Sequence, residues 1–115
     1  MLYSYVPEVD VLEVIFDESL HTAEQVADEL RDGIVLCMSA QDHKLVQLTL
    51  VSYRELAELP VVDFAGWRKL SASARKRLLP IVTSPTITNF LKLDPKTGAG
   101  HVIFPARSEA FSMAA

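Results

Sequence analysis

Two alternating apolar runs, Ile34 to Ser39 and Leu45 to Tyr53, flank the polar break Gln41-Asp42-His43-Lys44 and constrain the fold more than any other feature. Ile34, Leu36 and Met38 alternate with Val35, Cys37 and Ser39, and Val46, Leu48 and Leu50 alternate with Gln47 and Thr49. Successive side chains of a strand point to opposite faces, so both runs read as strands and the break as the turn between them. The product is a β-hairpin. Gln47 and Thr49 mark its wetter face, which assigns Val46, Leu48 and Leu50 to a core.

A second hairpin is written at the N-terminus. Leu2 to Val6 is aromatic and β-favouring, Pro7-Glu8-Val9-Asp10 is turn-like, and Val11 to Phe16 alternates again. Between the hairpins lies HTAEQVADELRDG, residues 21–33, where Thr22 and Gln25 have the spacing of a capping box. One or two helical turns ending at Gly33 fit it, and so does an extended segment. Arg54 to Leu59 fits one helical turn before Pro60, followed by the irregular connection VVDFAG. In WRKLSASARKRLLP, Trp67, Leu70, Ala74 and Leu78 recur at helical spacing, which predicts a helix from Trp67 to Leu79 ended by Pro80. TITNFLKLD and HVIFPA then read as two shorter strands around the loop PKTGAG. Together these segments predict one α+β domain over residues 1–106, with helix and C-terminal hairpin in 66–106 and a tail at 107–115. Its expected architecture is an antiparallel sheet of about six strands packed against one main helix.

A chain of 115 residues, half of them hydrophobic and 23% charged, has the balance of a folded domain. No apolar run approaches the roughly 18 residues of a membrane span, and MLYSYVPEVD lacks the basic start and apolar stretch of a signal peptide, so a cytoplasmic protein without membrane contact is expected. The net charge of −4 is unevenly spread. Residues 1–65 hold thirteen acids against three bases, and residues 66–115 hold two acids against eight bases. Such halves attract each other within a fold or across a dimer, and the negative total disfavours a nucleic-acid role.

Read together, Tyr5 to Leu12 (Y-x-P-E-x-D-x-L), Asp32 to Leu36 (D-G-I-V-L) and Val46 to Leu50 (V-Q-L-T-L) resemble the small prokaryotic family known as domain of unknown function 2283. The resemblance covers about residues 3–58, and the C-terminal half reads as an extension. Cys37, Ser39 and Thr49 stand where that family carries acidic residues, and the glycine of its tight turn is missing around Asp42 and His43. The resemblance implies a small β-rich domain without an assigned reaction, and an antitoxin-like or other partner-binding role.

The stretch YVPEVDVLEVIFDE places Glu8, Asp10, Glu13, Asp17 and Glu18 among bulky apolar residues. Paired carboxylates serve as general acid and base, or bind a hard metal, only when geometry brings them together away from water. Glu8 and Asp10 in a turn read instead as solvated turn acids. His21, His43 and His101 lack metal-ligand spacing, and Cys37 in an apolar run reads as a small, inert core residue. KTGAG, residues 96–100, has neither the spacing nor the context of a phosphate loop and reads as a hairpin loop. No cofactor and no metal are expected. The candidate interaction residues are therefore Trp67, Arg68, Arg75, Lys76 and Arg77 on the basic helix, facing an acidic half or subunit. These features point to a non-enzymatic interaction or structural module that forms a homodimer and binds a small protein partner. A ligand- or metal-binding domain or enzyme built on the acidic turn is the alternative, and weak nucleic-acid binding through the basic helix is another.

Overall fold

A computed structural model describes residues 1–104. The proposed tail at 107–115, and the last two residues of HVIFPA, lie outside the described residues. Strands β1 (Leu2–Val6), β2 (Val11–Ile15), β3 (Gln25–Arg31), β4 (Ile34–Ser39) and β5 (Leu45–Val51) come first in the chain. They are followed by α1 (Tyr53–Ala57), β6 (Val62–Asp63), α2 (Ala65–Lys69), α3 (Ala72–Val82), α4 (Pro85–Thr88), β7 (Leu91–Leu93) and β8 (Ala99–Val102). The class is α+β with antiparallel pairing throughout. The strands do not make one sheet of about six, however: they form a five-stranded sheet and a three-stranded one. Two compact units result, Met1–Ser52 and the residues from Tyr53 onward.

The first unit has strand order β1-β2-β5-β4-β3. Both expected hairpins are present, β1 with β2 and β4 with β5, and pairing of β2 with β5 joins them. Of the two conformations that residues 21–33 allowed, the extended one is found, since Gln25–Arg31 adds β3 alongside β4. A 3-10 turn at Glu18–Leu20, capped by Asp17, carries the chain from β2 to that far edge and completes a Greek-key arrangement. Leu12, Val14, Ile34, Leu36, Met38, Val46, Leu48 and Leu50 line one face and are fully buried, as the alternation predicts. Cys37 corrects the expectation of a core position. It lies half-buried on the opposite face, between Ala27 and Gln47 on the neighbouring strands.

The second unit departs further from the expected single helix. Helix α2 ends at Leu70, whose extended backbone (ψ 151°) breaks the register, and α3 starts afresh behind Ser71. The Ser71 hydroxyl accepts the Ala74 N–H at 3.1 Å, a local cap that outweighs continuity of the apolar spacing. Pro80 does not end the helix. Sitting in the last turn of α3, it removes only one backbone donor, and the helix runs on to Val82. The strand expected from Thr86 to Asp94 shrinks to Leu91–Leu93, because Ser84 caps and Pro85 opens α4. The VVDFAG connection contributes β6, which pairs with β8, and β8 pairs with β7 in the order β6-β8-β7. The core of this unit includes Tyr53, Phe64, Trp67, Leu78, Ile87 and Phe90. The Tyr53 hydroxyl donates to the Ile103 carbonyl at 2.6 Å.

Asp32-Gly33 makes the tight link between β3 and β4, with Gly33 at φ 86°. A Cβ there would lie 3.1 Å from Val51 Cβ, so side chain and backbone both oppose substitution. Gly33→Ala is expected to destabilise the fold by about 1–2 kcal/mol, the cost of a left-handed non-glycine residue, read as a lowered midpoint in urea.

Candidate functional site

The basic segment is built into the second unit more than it is displayed on it. Trp67 is 2% exposed and its indole N–H donates to the Pro95 carbonyl at 3.0 Å, making it a core anchor of α2 on the β7–β8 loop. Arg68 follows it along that loop. Its guanidinium makes a two-pronged ion pair with Asp63 at the end of β6, with Nη2 to Oδ2 at 3.1 Å. That hydrogen bond, with the charge of Asp63 behind it, raises the Arg68 pKa further. Gly98, at φ 76°, lies against the Arg68 stem, and a Cβ at that position would come within 2.8 Å of Arg68 Cγ. The glycines of KTGAG thus serve packing: Gly98 admits Arg68, and a Cβ on Gly100 would fall 1.8 Å from the Lys92 carbonyl oxygen. Asp94 closes the same loop by accepting the Lys96 N–H.

Arg75 reaches back from α3 to donate to the Arg68 carbonyl at 3.1 Å, satisfying the C-terminal end of α2. Lys76 and Arg77 are exposed. Successive helical residues are about 100° apart, so Arg75, Lys76 and Arg77 fan around α3 instead of forming one stripe. Of the five candidates, Trp67, Arg68 and Arg75 are thereby brought together by structural contacts on α2 and the hairpin loop.

The five carboxylates of the N-terminal stretch are kept apart. Asp10, at φ 54°, closes the β1–β2 turn and accepts the Tyr5 hydroxyl at 2.8 Å. Glu8 is exposed in the same turn, while Asp17 caps the 3-10 turn beyond the other end of β2. The Ser19 hydroxyl, aided by nearby backbone N–H groups, holds Asp17 below the usual carboxylate range. Glu13 lies mid-strand on β2, exposed and without an ion-pair partner among the described residues. Among the described residues, no group of three His, Cys, Asp or Glu side chains converges as a metal site, and no helix is long and apolar enough to cross a membrane. His21 bonds Gln47 at 3.1 Å, His43 sits in the β4–β5 turn at φ 54°, and His101 lies on β8. A cleft of about 170 Å³ between the 3-10 region and the β4–β5 turn is lined by Leu20, Ala23, Glu24, Ser39, Gln41 and Asp42.

Sequence reasoning marked the outer face of the five-stranded sheet through Gln47 and Thr49 but did not single out β1 as its edge. β1, Leu-Tyr-Ser-Tyr-Val, is an edge strand with no charge and an unbroken register against β2. The opposite edge, β3, carries Asp28, Glu29 and Arg31 and a register shift between Glu29 and Arg31. Charges and bulges are how sheets protect an edge. On the outer face, Leu2 is 55% exposed, Val6 42% and Val51 41%. A shallow groove of about 270 Å³ there is lined by Leu2, Tyr3, Ser4, Glu13 and Ile15. The signal was present in the uncharged LYSYV, but nothing local says which strand of a hairpin ends up at an edge.

No protein-family model, curated protein or solved structure matches this chain.

Two outcomes test these placements. Trp67→Ala is expected to destabilise the protein by about 3–5 kcal/mol, the range for a buried aromatic, where loss of an exposed anchor would leave the unfolding midpoint nearly unchanged. Burial, with the Asp28 charge nearby, pushes the Cys37 thiol up, so its alkylation rate should rise only at a pH above that of the urea-unfolded chain. The sign for stability follows: the neutral thiol contributes fully below the unfolded pKa, and that contribution is lost as pH rises through the folded one.

Proposed function

We propose that this chain is a non-enzymatic protein-interaction module, antitoxin-like in acting through a partner, which works in the cytoplasm as a homodimer. The observation that carries it is the contrast between the two edges of the five-stranded sheet: β1 is uncharged and regular, β3 charged and bulged. An unprotected edge offers unpaired backbone groups to another strand. The sequence of β1 also suits a second copy. Antiparallel pairing centred on Ser4 sets Ser4 against Ser4, Tyr3 against Tyr5 and Leu2 against Val6, so like faces meet across a two-fold axis. The resemblance of residues 3–58 to domain of unknown function 2283 is consistent with a small partner-binding protein and belongs to the same proposal.

Pairing of the acidic and basic sequence halves across the dimer is the second possibility, favoured by the ten acids and two bases of residues 1–52. Salt separates the two. Size-exclusion chromatography with light scattering is expected to give a dimer at low and high salt, because strand pairing is backbone-mediated and apolar, whereas charge pairing dissociates at high salt. Ser4→Lys, which sets like charges against each other on the two-fold axis, should give a monomer. A wild-type monomer at both salt concentrations would overturn the dimer.

A further inference from the structure

The outer face of the five-stranded sheet reads in rows across the strands. Leu2, Ile15 and Gln47 form one row, Ser4, Glu13 and Thr49 the next, and Val6, Val11 and Val51 a third. Glu13 therefore lies between Leu2 and Ile15 on one side and Val6 and Val11 on the other. It has no ion-pair partner among the described residues, and the neighbouring Thr49 hydroxyl accepts from Gln47. The groove beside it, of about 270 Å³, is lined by Leu2, Tyr3, Ser4, Glu13 and Ile15, with the Leu2–Ile15 pair two residues along the strands from Ser4 and Glu13. Two residues along a strand span about 7 Å, within reach of one long side chain. An apolar trough ending in a carboxylate matches a side chain with an aliphatic stem and a cationic head.

We propose that this groove docks a basic segment of a partner protein, seating a Lys or Arg stem on Leu2 and Ile15 with its charge on Glu13. Charge complementarity selects this occupant. The unit of residues 1–52 holds ten acids against Arg31 and Lys44, and Glu8, Asp10, Asp17 and Glu18 stand at the two ends of the β1–β2 ladder. A cationic segment is drawn to this face and oriented by it, whereas the homodimer's acidic units meet through the uncharged backbone edge of β1. The inference names the chemistry of the partner and so rests on the interaction-module reading. It does not rest on the homodimer, which uses the backbone edge of β1 and leaves the face open.

The probe is a fluorescein-labelled peptide of about eight residues alternating lysine and threonine, titrated with the full chain and followed by anisotropy. Binding is expected at about 50 mM salt, weakening toward 300 mM, with none for the peptide in which glutamate replaces lysine. Glu13→Gln, an isosteric exposed change, should weaken binding about tenfold. Glu29→Gln, on the same face but on β3, should change it less than about twofold. Equal loss in both variants would mean diffuse attraction to an acidic surface and would overturn the site. So would absence of binding, or a Glu13→Gln effect confined to the dimer mass seen by light scattering, which would assign the groove to a second copy. Thermal midpoints of both variants check that the fold is kept, and an intact dimer that binds no peptide separates failure of this inference from failure of the dimer.

Discussion

The pairing of β2 with β5 is the contact on which the first unit depends, because each hairpin alone has too little buried surface to persist in water. Its register sets Leu12 against Leu50 and Val14 against Leu48 on the buried face, and Glu13 against Thr49 on the wet one. Sliding the strands by one residue would exchange those faces, sending a carboxylate into the core and leucines into water. Each fully buried aliphatic side chain contributes roughly 1.5–3 kcal/mol, so the register is held by many residues at once. The same pairing makes β1 and β3 the edges and leaves Glu13 between Ile15 and Val11 on the wet face.

The second unit solves a different problem. Helices of four to eleven residues are marginal alone, and here each is held by an identifiable device. Ser71 and Ser84 cap α3 and α4, while Trp67 and Arg68 fasten α2 to the β7–β8 loop, where Gly98 leaves room for the arginine stem. Exposed ion pairs such as Arg68 with Asp63 add little stability individually. Their value here is positional, since the pair joins α2 to β6 and Arg75 then closes the end of α2. Positive charge that looks like a binding stripe in one dimension is partly consumed in holding short elements together.

The proposed binding role draws on an opposite distribution in the first unit. Five of its ten acids, Glu8, Asp10, Glu13, Asp17 and Glu18, are spread along the β1–β2 ladder, at both ends and in the middle. A strand without charge beside a ladder edged with carboxylates combines a backbone template with a long-range field. In the proposed role the backbone edge serves pairing with a second copy, and the acidic face beside it favours a partner with cationic side chains.

Local periodicity made much of this fold legible. The turn Gln41 to Lys44, the buried set Val46, Leu48 and Leu50, the wetter Gln47 and Thr49, and the hairpin around KTGAG all followed from alternation and turn chemistry. Residues 21–33 were ambiguous because capping-box spacing and a partly polar strand use the same residue types, and only pairing with β4 decides between them. The helix expected from Trp67 to Leu79 shows the converse: its spacing is continuous, yet Ser71 interrupts it and Trp67 turns toward Pro95. By itself the sequence determined the two hairpins of β1 with β2 and β4 with β5, the apolar face of β5, and how charge divides along the chain, because these depend on neighbours within a few residues. Only the tertiary structure decided that the described strands divide into two sheets, that β1 is an edge strand, and that Glu13 lies beside a groove with no ion-pair partner among the described residues, because strand order and edge position arise from pairing between residues far apart in the chain.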